Sequence, residues 1–228
     1  MGTVARMSTH HICRFESAAK PQRNIGWISN NWSGYSIKGE KGAFRRISGE
    51  WNVPFLRPSG GSSYSSAWIG IDGFGNQSLI QTGTGHDLIN GKPYYYAWWE
   101  ILPAAATLIP LPVRPGDRMS AVIAKKRGST WIICLRNVTK GWTFRISRRY
   151  RGPQTSAEWI VEAPLVGGIL SRMARLSDVA FSRCRVNGSN PKLKARHGGL
   201  MLQNLTITAI PSDPSPCGDA FVVKSTLR

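Results

Sequence analysis

The sequence predicts an all-β protein, a sandwich or closed barrel of about a dozen short strands, and three observations carry that expectation. From Trp27 onward, runs of β-branched and aromatic residues alternate with clusters of Gly, Pro, Asn and Ser, the punctuation that strands and turns require. Helical periodicity is nearly absent, its best trace being a brief turn around Gly168 to Arg175. The composition is turn-rich and aromatic, with 24 Gly, 14 Pro and 9 Trp in 228 residues. That length can bury a substantial core without metals or disulfides, and a hydrophobic fraction of 41% is that of a globular chain.

Taken in order, residues 1 to 26 lack periodicity and are expected to form an irregular arm whose His10-His11 pair is solvated rather than metal-binding. One domain then spans 27 to 228, because no linker, composition shift or internal repeat divides it. Strands are expected near Ser33 to Ile37, Phe44 to Val53, Ser66 to Ile71, Leu79 to Gly83, Tyr94 to Leu102 and Met119 to Lys125. Further strands are expected near Trp131 to Asn137, Trp142 to Ser147, Ala157 to Glu162, Val179 to Val186, Met201 to Thr208 and Phe221 to Lys224.

The net charge is +18, from 30 Lys and Arg against 12 Asp and Glu. The basic residues fall in small scattered groups, such as Lys125-Lys126-Arg127 and Arg148-Arg149, with no long block and no nucleic-acid motif. A solvated basic surface is therefore expected, with no specific nucleic-acid partner. Cys13, Cys134, Cys184 and Cys217 form no CxxC pair, so no zinc site is expected; Cys134 reads as a buried free thiol, and a Cys184 to Cys217 disulfide stays open. No apolar stretch is long enough for a membrane span, and the first 26 residues lack the apolar middle of a secretion signal, which leaves localisation undefined.

With so few acids, their placement is informative. Asp72, Asp87, Glu100, Glu158 and Glu162 lie in or beside strands rich in Trp, Tyr and Ile, where a carboxylate is costly unless paired, hydrogen bonded or protonated. Residues i, i+2 and i+4 of a strand share a face, so Glu158, Ile160 and Glu162 project together, as do Tyr94, Tyr96, Trp98 and Glu100. An aromatic face with embedded carboxylates suits an extended polymer, peptide or glycan. There is no GxSxG, no HExxH and no cysteine beside a plausible histidine, and His86, following a Gly-rich turn, is expected as an exposed loop residue. Any hydrolysis must then rest on carboxylates and amides, as in a peptidase or a glycosidase.

Six segments share a common resemblance: Asn31-Trp-Ser-Gly-Tyr35, Ser48-Gly-Glu-Trp-Asn-Val-Pro54, Trp68-Ile-Gly-Ile-Asp-Gly73, Leu79-Ile-Gln-Thr-Gly-Thr84, Tyr96-Ala-Trp-Trp-Glu100 and Ala157-Glu-Trp-Ile-Val-Glu162. In their order and spacing the chain resembles the glutamic peptidases, or eqolisins, with a weak extension to Asp219-Ala-Phe-Val-Val223. The resemblance implies a concanavalin A-like sandwich of two antiparallel sheets, one curved into a concave substrate groove. It also implies an acid endopeptidase whose catalytic pair is Gln81 and Glu158.

Trp68, Asp72, Trp98 and Glu100 match supporting positions of that family, and Asp87 approximates an acid that follows the catalytic glutamine. Glu162 is expected to adjust the pKa of Glu158. No metal or organic cofactor is implied; the expected partner is a polypeptide substrate, and the chain is taken as a monomer. The competing expectation is a non-catalytic sandwich module that binds peptide or carbohydrate along its aromatic face.

Overall fold

The structure is a computed structural model and describes residues 25–227. Along the first part of the chain the strands are β1 (Trp27–Ser29), β2 (Trp32–Lys38), β3 (Arg46–Asn52), β4 (Ser63–Ile71), β5 (Ile80–Ile89), β6 (Lys92–Ile101), β7 (Thr107–Ile109), β8 (Arg118–Arg127) and β9 (Thr130–Asn137). They continue with β10 (Trp142–Arg149), β11 (Ser156–Glu162), β12 (Leu165–Val166), β13 (Ile169–Leu170), β14 (Val179–Val186), β15 (Gly198–Gln203), β16 (Thr206–Pro211) and β17 (Phe221–Ser225). A 3-10 turn at Ala195–His197 accompanies them.

Hydrogen bonding runs through one path, β10-β9-β8-β3-β14-β17-β16-β15-β2-β11-β4-β5-β6-β7. The path folds over on itself. A back layer, β10-β9-β8-β3-β14-β17, packs on a front layer, β2-β11-β4-β5-β6-β7, through contacts of β3 and β8 with β4, of β8 and β9 with β5, and of β14 with β11. Strands β15 and β16 join the layers along one edge, and β1 adds to β15 in parallel. Two indole bonds cross between the layers: Trp159 Nε1 donates to Ser48 O at 3.0 Å and Trp51 Nε1 to Thr84 Oγ1 at 3.0 Å.

Alternation divides the front layer into two faces. Ala157, Trp159 and Val161 of β11, with Ala67, Ile69 and Ile71 of β4, point into the main core against Trp51, Ile123, Trp131 and Phe181 of the back layer. The opposite parity builds a second cluster on the front face, from Trp27, Trp32, Trp68, Leu79, Trp98 and Ile160. All seven residues of β11 are buried, since both of its faces are covered.

Every expected strand is present, with three corrections. The stretch expected as Met201 to Thr208 is two strands joined by Asn204-Leu205, both at positive φ (49° and 60°); no Gly or Pro marks that turn. The strand expected to stop at Gly83 continues as β5 to Ile89 and turns at Asn90-Gly91. The helical turn expected around Gly168 to Arg175 is not there. Gly167 and Gly168, at φ 61° and 81°, instead turn the small hairpin β12-β13, and an extended segment follows.

Cys134, Cys184 and Cys217 are free, so the Cys184 to Cys217 bridge does not form. Cys134 is half-buried rather than buried, because its strand position faces outward from the back layer. Cys13, the His10-His11 pair and the expected arm, but for its last two residues, lie outside the described residues.

Candidate active site

The register of the front layer sets side chains in rows. One row reads Ser36 on β2, Glu158 on β11, Gly70 on β4, Gln81 on β5 and Glu100 on β6. All five lie on the face turned away from the main core. Glu158 and Gln81 flank Gly70, their Cα atoms about 10 Å apart at two strand spacings. Gly70 has no side chain to fill the gap between them, and a Cβ there would stand 2.8 Å from Cζ3 of Trp68.

Glu158 and Gln81 are fully buried. Gln81 Nε2 donates to Glu100 Oε2 at 2.6 Å, which fixes the amide with its second N–H uncommitted. Ser36 Oγ donates a long 3.5 Å bond to Glu158 Oε1. Among the described residues, no protein atom partners Gln81 Oε1, Glu158 Oε2 or the indole nitrogens of Trp32 and Trp98, all on this face. Four buried, unpartnered polar atoms on one face are a cost that a bound molecule or ordered water would remove. Burial holds the Glu158 carboxyl well above the usual range; the nearby Ser156 hydroxyl opposes the shift, the negative charge of Asp72 adds to it, and Ser36 opposes it.

Asp72 is a structural anchor. Its φ is 71°, and its carboxylate accepts from Gln154 N and Thr155 N at 2.9 Å, Tyr150 OH at 2.5 Å and Asn76 Nδ2 at 3.1 Å. These bonds tie the end of β4 to the residues that enter β11, and so hold the strands of Gly70 and Glu158 in register. Tyr150, which the sequence does not single out, is drawn in from the end of β10. Trp68 and Trp98 share the next row with Gly83 between them. Both are buried in the front cluster, where Trp98 packs and Trp68 both packs and bonds Glu162.

Two expected supports sit elsewhere. Glu162 lies two rows from Glu158 and accepts from Trp68 Nε1 at 2.8 Å, so the charge beside Glu158 is that of Asp72. Asp87 is six residues from Gln81, about 20 Å along β5, and its partner is Tyr96, whose hydroxyl donates at 3.0 Å. Burial pushes its carboxyl up to about 7, although the Tyr96 bond opposes the shift. His86 is the clearest correction. It is fully buried inside β5 and faces the main core, with Nε2 2.9 Å from Thr84 Oγ1 and Nδ1 3.3 Å from Ser65 Oγ. Burial lowers its pKa to about 3.

The sequence profile of the Peptidase A4 family matches residues 30–211. Aspergillopepsin-2 of Aspergillus niger is 28% identical, over 68% of this chain and 63% of that protein. Scytalidopepsin B of Scytalidium lignicola is 30% identical, over 72% and 56%. The chain thus spans little more than half the length of these two relatives. Among solved structures, scytalido-glutamic peptidase with a transition state analog inhibitor superposes with a TM-score of 0.74 at 23% identity, over 86% of this chain and 98% of that one. Aspergilloglutamic peptidase from Aspergillus niger gives 0.62 at 24% identity, over 72% and 99%. At these identities the superpositions establish a shared sandwich fold.

Proposed function

Since this chain belongs to the Peptidase A4 family, we propose that it is a glutamic endopeptidase that hydrolyses polypeptides with Glu158 and Gln81. The observation that carries the proposal is the row Glu158–Gly70–Gln81–Glu100, in which two buried side chains face a gap, each with an unpartnered oxygen.

The chemistry follows from the atoms. Ionised Glu158 takes a proton from a water held between itself and Gln81 Oε1, and that water attacks the scissile carbonyl carbon. The uncommitted N–H of Gln81 then donates to the developing oxyanion; one such donor is worth about 3 kcal/mol of transition-state stabilisation. Glu158 returns its proton to the leaving nitrogen as the C–N bond breaks, which restores the carboxylate. Glu100 positions the amide for this role. Burial and the neighbouring charge of Asp72 disfavour ionisation of Glu158, so the pH at which Glu158 ionises sets the lower edge of the working range.

Glu158→Gln and Gln81→Ala should each lower kcat/KM toward an unfolded protein substrate by at least about 10²-fold, with circular dichroism unchanged. Wild-type turnover in folded Glu158→Gln would overturn the assignment.

A further inference from the structure

At the far end of the molecule, two cavities adjoin. One, of about 350 Å³, is lined by Arg172, Arg175, Ser59, Gln203, Thr206 and Thr208 among others. The second, of about 420 Å³, shares Arg172, Gln203 and Asn204 with it and adds Ser171. Among the described residues, no Asp or Glu lines either cavity.

Both guanidiniums are anchored at one corner only. Arg172 Nη2 donates to Ser59 Oγ at 3.1 Å and reaches Gly61 O at 3.5 Å, while Arg175 Nη1 donates to Pro58 O at 2.9 Å. Among the described residues, Arg175 Nε is buried without a partner. Ser171 is 8% exposed, and its hydroxyl is likewise unpartnered. Gln203 latches this segment: Nε2 donates to Ser171 O at 3.0 Å and Asn30 O at 3.1 Å, and Oε1 accepts from Met173 N at 3.1 Å. Two positive charges thus share one cavity, with a hydroxyl donor close by and, among the described residues, no acidic side chain in its lining.

We propose that the Arg172–Arg175 cavity binds a tetrahedral oxyanion of the phosphate or sulfate class. Each guanidinium offers a two-donor edge that fits two oxygens of such an ion, and the ion cancels the repulsion between them. The site is separate from the dyad. Tyr64 N donates to Arg172 O and Ala174 N to Tyr64 O, both at 3.0 Å, and Tyr64 lies six residues before Gly70 on β4, about 20 Å from the dyad's row at strand spacing. Bound anion would brace the loop at Pro58 to Gly61 against the segment from Ser171 to Arg175 and the turn between β15 and β16.

Calorimetric titration of the whole chain with sodium phosphate, sulfate and acetate, at ionic strength held constant with sodium chloride, tests this directly. Saturable binding of one phosphate or sulfate is expected, weakened at least tenfold in Arg172→Gln and in Arg175→Gln. Arg145→Gln, on the exposed outer strand of the back layer, should keep it. Arg172 is exposed, so Arg172→Gln should fold and turn over peptide as the wild type does. O-phosphoserine binding tighter than phosphate would assign the site to a carried phosphoryl group, and weaker binding to the free ion. Absence of saturable binding, equal affinity in Arg172→Gln, or acetate binding as tight as phosphate would each overturn the proposal.

Discussion

A buried carboxyl beside a fixed negative charge ties the proposed chemistry to pH. Glu158 must be ionised to take a proton from water, yet burial and Asp72 both hold it in the protonated form. On the acid limb, kcat/KM should therefore fall about tenfold per pH unit, and the limb should lie above about 4.3, where an exposed glutamate titrates. Asp72→Asn removes one source of the shift and should move the limb to lower pH, because the Glu158 anion loses a repulsive neighbour. The profile is read from kcat/KM against pH, with circular dichroism at each point, since Asp72 also anchors Tyr150 and Thr155. A limb that stays in place in folded Asp72→Asn would rule out Asp72 as the charge that matters.

At this scale the sequence is a partial guide. Gln81 and Glu158 stand out only through the resemblance to glutamic peptidases, whereas the strand parity of Glu158 and Glu100 is legible from alternation alone. The partner of Asp72 is not legible. Tyr150 lies 78 positions away and meets it because the layers fold over one another.

Within β5, glycines decide how far the strand runs. Gly83 and Gly85 read as turn residues in sequence, and so His86 reads as a loop residue. In the structure Trp68 lies against Gly83 and the Tyr96 ring lies across Gly85, where added Cβ atoms would meet them at 2.5 Å and 2.2 Å. A glycine inside a strand here marks close approach rather than a turn, and only the neighbouring strands disclose which. The same cause hides the true length of β5, while β9, with ordinary alternation, is readable to within one residue.

Gly70 shows what such close approach does for the site. A methyl group there would press on Trp68 at 2.8 Å and on Leu79 Cδ1 at 3.0 Å, both inside the front cluster. Gly70→Ala should cost about 1 to 3 kcal/mol of stability, the usual range for overpacking. It should also lower kcat/KM by more than tenfold, because it fills the gap between Glu158 and Gln81. Denaturant unfolding and peptide turnover measured on one preparation separate the two effects. A destabilised variant with wild-type turnover would show that the gap is not where water and carbonyl sit.

Across the whole molecule, two adjacent residues of β5 give stability opposite dependences on pH. His86 faces the main core toward Ser65, Thr84 and Tyr95, and its pKa falls from 6.5 to about 3. A depressed folded pKa means that its contribution is intact above 6.5 and is lost as pH falls toward 3, because the unfolded chain takes up the proton first. Asp87 faces the other way, toward Tyr96, and its pKa rises from 3.8 to about 7. A raised folded pKa means that its contribution is complete below 3.8 and is lost as pH rises through 7.

Each group acting alone changes stability by about 1.4 kcal/mol per pH unit inside its window. Between 3.8 and 6.5 the windows overlap with opposite slopes, so the contributions of these two groups offset each other there. Removing either member should expose the other. Relative to wild type, Asp87→Asn should lose stability by about 1 kcal/mol per unit as pH falls from 6.5 to 4. His86→Gln, which keeps a group able to bond Thr84, should gain by about the same over that interval. Urea unfolding at half-unit pH steps provides the measurement, with differences from wild type cancelling the contribution of Glu158. Parallel curves for all three proteins would mean that neither group changes its protonation on unfolding, and that the balance in β5 plays no part in acid tolerance.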